Sequence, residues 1–242
     1  MATGGLQRSV AEVIRRHVVS ASSVPAGIGT ACVELLAVDG AAVLLMADSG
    51  APWQVASPVG RLAPQLDEAQ RTVGEGPALD AYRSGGPVLV SDVAAMAGRW
   101  PGFTSIVPAA VQALFAFPLQ LGAVKFGVLE MYRCSPGGWD GAQLGLALQL
   151  ADCAAEALIL NVGAAPDDAL HWLERLPGKA PEIDQAAGMS SVHLGVSLTV
   201  AYARLRGYAF GTGQSLATVS QGVVAGRLRL NDDGPRAAGQ VE

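Results

Sequence analysis

Apolar positions in the first two thirds of the chain follow two rhythms, one helical and one alternating. Leu6, Val10, Val13, Ile14 and Val18 recur at the three- and four-residue spacing of a single helix face, so the chain opens with an amphipathic helix. The run "ACVELLAVDGAAVLLMA" holds two apolar stretches joined by Asp39 and Gly40, a dipeptide suited to the positive φ angles of a tight turn, and predicts a hairpin of two antiparallel strands. A third short strand is expected near Trp53 to Ser57. In "LDEAQRTVGEGPALDAYRSGGPVLVSD" a helical pattern breaks at Gly74, resumes after Gly76, breaks again at Gly85 and Gly86, and gives way to the strand "PVLV".

A short helix is expected around "RWPGFTSIVPAAV", followed by two strands about Gly122 in "ALFAFPLQLGAVKFGVLEMYRC". Pro118 lacks a ladder donor and fits only an edge or a bulge. A long Ala- and Leu-rich helix then runs from about Asp140 to Asn161. Hairpins flanking a helical insert, with helices at both ends, describe an α+β domain over residues 1–162, a mainly antiparallel sheet covered by helices. Residues 163–181, rich in Pro and Gly, read as a linker. From 182 to 230 three short helical patterns follow: Ile183, Ala186, Ala187, Ser190 and Leu194 on the first, a second capped by Ser197 and stopped by Gly211 and Gly213, and a third capped by Ser215 with Leu216, Val219, Val223, Val224 and Leu228 on one face. They predict a small three-helix bundle, and 231–242 a flexible tail.

Charge changes this picture only locally. Nine basic and thirteen acidic residues give 1–162 a balance of −4, whereas four arginines against Glu182 and Asp184 give 182–230 a balance of +2. Cys32, Cys134 and Cys153 show no metal spacing and predict no disulfide, and no stretch reaches the ~18 uninterrupted apolar residues of a membrane span, so a cytoplasmic protein with no membrane partner is expected. His17, His171 and His193 form no helical pair, and HExxH, GxSxG and Walker loops do not occur, so no catalytic residue and no metal site is predicted. Asp67, Glu68, Glu75 and Asp80 read as a solvated helix face rather than paired acid and base.

Two groups of residues remain as candidate sites. Trp53, Tyr82, Trp100, Phe103 and Phe115 could wall a small-molecule pocket between sheet and insert, or be ordinary core. In "AYARLRGYAF" one helical face takes Ala201, Leu205, Tyr208 and Ala209, while Tyr202, Arg206 and Phe210 stand at i, i+4 and i+8 on another. Aromatic and guanidinium planes are what unpaired RNA bases stack on. Arg204 lies about 200° round the helix from Arg206, so the two cannot hold one phosphate. On spacing alone, packing is the stronger reading of this stripe.

Resemblance shifts the balance. "TVGEGPALDAYRSGGPVLVSDVA", "RWPGF" and "ALFAFPLQLGAVKFGVLEMYR" look like the GAF domain of actinobacterial regulators, and "EIDQAAGMSSVHLGVSLTVAYARLRGYAFGTGQSLATVSQGVVAGRLRL" resembles the ANTAR domain that follows it in them. That family's helix pattern is met by Ala201, Tyr202, Leu205, Arg206 and Ala209, and its earlier Ile, Ala, Gly pattern by Ile183, Ala186 and Gly188. Departures are "GTGQS" where basic or polar residues are usual, Ser220 in place of Ala, and Gly207 in mid-helix, which costs about 1 kcal/mol relative to Ala. The resemblance implies a sensory GAF domain, possessing no cofactor here because tetrapyrrole-type Cys and His chemistry is missing but open to an unknown small-molecule ligand. It also implies a homodimer, and an ANTAR module that binds paired RNA hairpins in transcription antitermination through Tyr202, Arg204, Arg206 and Phe210. The rival is a ligand-binding or dimerisation protein whose ANTAR-like module has lost RNA binding.

Overall fold

The computed structural model describes residues 2–46, 54–122, 124–162 and 181–230. Its first domain is a five-stranded antiparallel sheet of β1 (Gly40–Leu45), β2 (Gln54–Val59), β3 (Val88–Val90), β4 (Ala113–Leu121) and β5 (Val124–Arg133), in the order β2-β1-β5-β4-β3. Strand alternation sends Val43, Phe115, Phe117, Leu129 and Met131 to one face, beneath α1 (Ala2–Ser20), α2 (Val24–Leu36) and α6 (Gly141–Val162). Leu44, Leu114, Ala116, Val128 and Tyr132 go to the other, beneath α3 (Ala63–Val73), α4 (Pro77–Ser84) and α5 (Pro101–Ile106). Each large apolar side chain so removed from water contributes roughly 1.5–3 kcal/mol.

Most predicted elements are present, with one exchange of type. The first half of the expected hairpin is helix α2, not a strand. Ser23 caps it, accepting from the Ala26 amide at 3.3 Å, Pro25 occupies its first turn, and Ala37 ends it in the left-handed region at φ 50. Apolar on nearly every side, a buried helix of this length carries no 3.6-residue rhythm to reveal it. Gly40 accordingly turns nothing. It begins β1 opposite Tyr132, where a side chain would collide with the tyrosine ring and the Val59 carbonyl.

Gly74 and Gly85 do cap α3 and α4, at φ 71 and 70. Pro118 lies beyond β3, whose pairing stops at Ala116, and beside a register shift between Leu119 and Gln120, the combined edge and bulge that its missing donor requires. In α1, Val10 and Ile14 are buried as expected, while the Leu6 side chain lies outside the described residues. The stretch Gly141–Leu160 of α6 is long and apolar enough to cross a membrane by length and composition, yet Ala147, Leu150, Ala154 and Leu158 are core residues of this domain.

The second unit is a bundle of α7 (Pro181–Leu194), α8 (Leu198–Thr212) and α9 (Leu216–Val224). Ser197 and Ser215 accept from the Val200 and Thr218 amides, and Gly213 alone ends α8, at φ 63, whereas Gly211, also expected as a stop, lies within the helix. Ile183, Ala186, Ala187, Ala201, Leu205, Ala209, Leu216 and Val219 fill the core, its many alanines letting the helices approach closely. The predicted linker and tail lie outside the described residues, apart from Pro181.

Candidate nucleic-acid interface

The stripe from the sequence sits on α8 and splits into three environments. Tyr202 is only 5% exposed; it, rather than the half-buried Tyr208, completes the bundle core. Its hydroxyl donates to Asp184 Oδ1 at 2.7 Å, joining α8 to the first turn of α7. Burial, then that bond to a carboxylate, pushes the Tyr202 phenol well above its usual value. The expected free stacking face is therefore corrected at Tyr202: the ring is packed.

Arg206 and Phe210, one and two turns on, face α3 of the sheet domain. Arg206 passes over Gly74, the residue that caps α3; a β-carbon there would lie 3.0 Å from Arg206 Nε and 3.4 Å from Cζ, so the glycine supplies both the left-handed turn and the space. Among the described residues, nothing accepts a hydrogen bond from this guanidinium. Burial, then the nearby Arg83 cation, lowers its pKa. Phe210 is 46% exposed and lines a cleft of about 360 Å³ between α8 and the Pro64, Ala69, Thr72 and Ile106 side of the sheet domain. Arg204 is partly buried on another face of α8, whereas Arg227 and Arg229 are exposed.

Among the described residues, one hydrogen bond crosses the same junction. Glu68 Oε1 accepts from the Leu216 amide at 2.9 Å, a carboxylate at the start of α9 where the helix dipole favours it. The same side chain accepts from Arg71 at 2.8 Å and Thr72 at 3.3 Å, which hold it in place.

The acidic group of the insert is thus not a solvated face. Asp67 is 1% exposed and paired with Arg71 at 2.9 Å, Glu75 accepts from the Phe103 amide at 2.9 Å, and Asp80 takes Arg99 at 2.7 Å and the Trp100 indole at 3.2 Å. Glu68, Glu75 and Asp80 each position a neighbouring helix or loop, while Asp67 is tied to Arg71 within its own helix.

The proposed pocket wall does not assemble. Tyr82, Trp100 and Phe103 are buried in one core, Trp100 and Phe103 meeting edge to face at 6.4 Å, but Phe115 points through the opposite face of the sheet, stacked on Trp139 at 3.8 Å. The parity of β4 alone enforces this: Leu114 and Ala116 face Trp100, so Phe115 cannot. Trp53 lies outside the described residues. What the sequence reading passed over on this side is Glu130, buried at 2% in β5, with Gln70 Nε2 donating to both its oxygens at 2.8 and 3.0 Å. Burial pushes its carboxyl up to about 8 against the opposing Gln70 bonds, and Asp67 adds to the rise. The signal was a lone acid inside "VLEMY".

Burial likewise pushes the Cys32 thiol up to about 12, and the Cys134 and Cys153 thiols are also raised, so none is an activated nucleophile. No group of three or more His, Cys, Asp or Glu among the described residues could hold a metal ion.

Among solved structures, the free methionine-R-sulfoxide reductase from Neisseria meningitidis in complex with its substrate aligns with a TM-score of 0.50 at 18% identity, over 67% of this chain and 94% of that one. The GAF domain of a phosphoenolpyruvate-protein phosphotransferase from Acinetobacter aligns with a TM-score of 0.49 at 12% identity, over 66% of this chain and 97% of that one. No curated protein matches the sequence. The family model of the GAF domain matches residues 27–159, from α2 to near the end of α6 and more than half of the chain, and the protein belongs to that family.

Proposed function

We propose that the protein is a signalling regulator in which the GAF domain controls an ANTAR-like bundle that binds paired RNA hairpins and promotes transcription antitermination, acting as a homodimer without catalytic activity of its own. One observation carries the reading: α8 commits Ala201, Leu205 and Ala209 to the bundle core and leaves a guanidinium and an aromatic ring, Arg206 and Phe210, one turn apart on another face. Unpaired hairpin-loop bases stack on such planes, while cations track the phosphates. Among the described residues Arg206 has no hydrogen-bond acceptor, which leaves its donors open to a phosphate or base edge. Tyr202 acts as a positioning residue, fixing α8 on α7 through Asp184, and Arg204 adds charge from the far side of the helix, about 200° round from Arg206.

Fluorescence anisotropy of the full chain with paired-hairpin RNAs, at low and physiological salt, tests this. Binding should weaken with salt, and Arg206→Ala should weaken it further by about tenfold. Absence of binding at either salt sinks the reading. The rival, a ligand-binding or dimerisation protein with a structural bundle, draws on the burial of Tyr202 and the docking of Arg206 against Gly74, and it predicts that absence.

A further inference from the structure

The bundle touches the sheet domain through the same side of α8 that carries Arg206 and Phe210. We infer that this contact is an autoinhibitory latch: α3 holds the bundle closed through the Glu68 cap on α9 and the Gly74 notch under Arg206, and RNA binds only when the latch opens. The RNA half of the inference rests on the function proposed above; the docking half does not.

Three features make the contact reversible rather than structural. Among the described residues it has one hydrogen bond across it, from the Leu216 amide to Glu68 at 2.9 Å, and both partners have substitutes in water once they part. Its apolar portion is an unfilled cleft of about 360 Å³ in which Phe210 and Ile106 stay 46% and 40% exposed, so little burial opposes separation. Its cation is poorly served: Arg206 is desolvated over Gly74, finds no acceptor among the described residues and lies near Arg83, an exposed cation on α4. Opening returns Arg206 to water or delivers it to an anion. Both modules keep their own cores when they part, since the core clusters of the sheet domain and of the bundle share no residue.

Docking and RNA binding then compete for one face, and linkage requires each to weaken the other equally. Any signal in the GAF domain that shifts α3 acts on both. The switch needs no rearrangement inside the bundle.

The test uses the full chain as Glu68→Ala and, separately, Ile106→Glu, which puts a charge into the cleft without touching either core. Hydrogen exchange of peptides covering Leu216 reports docking, and anisotropy with a paired-hairpin RNA reports binding. Both variants should speed exchange at the start of α9 and tighten RNA binding by about fivefold. Unchanged exchange in both variants overturns the latch, whatever the RNA affinity. Faster exchange with RNA affinity unchanged removes the inhibitory role. Faster exchange with no RNA binding by any of the three proteins also removes that role and the proposed function with it, while the docking contact stands.

Discussion

Helix α3 meets the rest of the molecule on two sides, and the two contacts are built differently. Toward the sheet it presents Leu66 and Gln70, each at most 1% exposed, and Gln70 donates to both Glu130 oxygens and accepts from the Ala78 amide at 3.0 Å. Toward the bundle it presents Glu68, Thr72 and Gly74 across a cleft, with one hydrogen bond and a guanidinium that finds no acceptor among the described residues. A sealed face that satisfies its polar groups internally is part of a fold. A thin face whose polar groups all have partners in water can part on the energy of one ligand.

The sharpest break of this comparison is Leu66→Ala. Removing a 1% exposed leucine from the sealed side should destabilise the sheet domain by about 2–5 kcal/mol in denaturant unfolding. Glu68→Ala, two residues further on, should shift the same transition by less than about 1 kcal/mol. Equal losses would mean that the bundle contact belongs to the same cooperative unit.

Glu130 tests the sealed side through pH. Its folded carboxyl lies near 8, above the ordinary value of 4.5, so the fold favours the neutral form. Stability from this group is full below about 4.5 and is lost as pH rises through about 8. Glu130→Gln, which keeps a hydrogen-bonding partner for Gln70, should flatten that decline and leave the variant the more stable protein at pH 9. A variant that tracks the wild type from pH 5 to 9 would show that the site is wet.

Smallest is Gly207→Ala. A methyl group there meets nothing within 4 Å, so it should stabilise α8 by about 0.5–1 kcal/mol in thermal unfolding and leave docking unchanged.

Much of this architecture was legible because it rests on local chemistry. Gly74, Gly85 and Gly213 stop helices, Ser197 and Ser215 start them, and "PVLV" between glycines and an acid makes a strand. What was misread depends on distant partners. A mostly apolar helix, α2, exposing only Thr30 and Glu34, shows little periodicity, and Gly40 looked like a turn because the Tyr132 ring that crowds it is 92 residues away in the chain. The acids of the insert looked solvated because Phe103, Trp100 and Leu216, which they bind, come later in the sequence. The reading of α8 stood between these cases. Spacing separated Ala201, Leu205 and Ala209 from Arg206 and Phe210 correctly, but only the fold reveals that Tyr202 goes inward and that the remaining pair rests on α3.

The central claim is that one face of α8 serves both docking and RNA, and hydrogen exchange at Leu216 tests it most directly when the full chain is titrated with a paired-hairpin RNA. The account predicts saturable, salt-sensitive binding with exchange at the start of α9 rising in step, as Glu68 releases the amide. RNA binding that leaves Leu216 protected would contradict it.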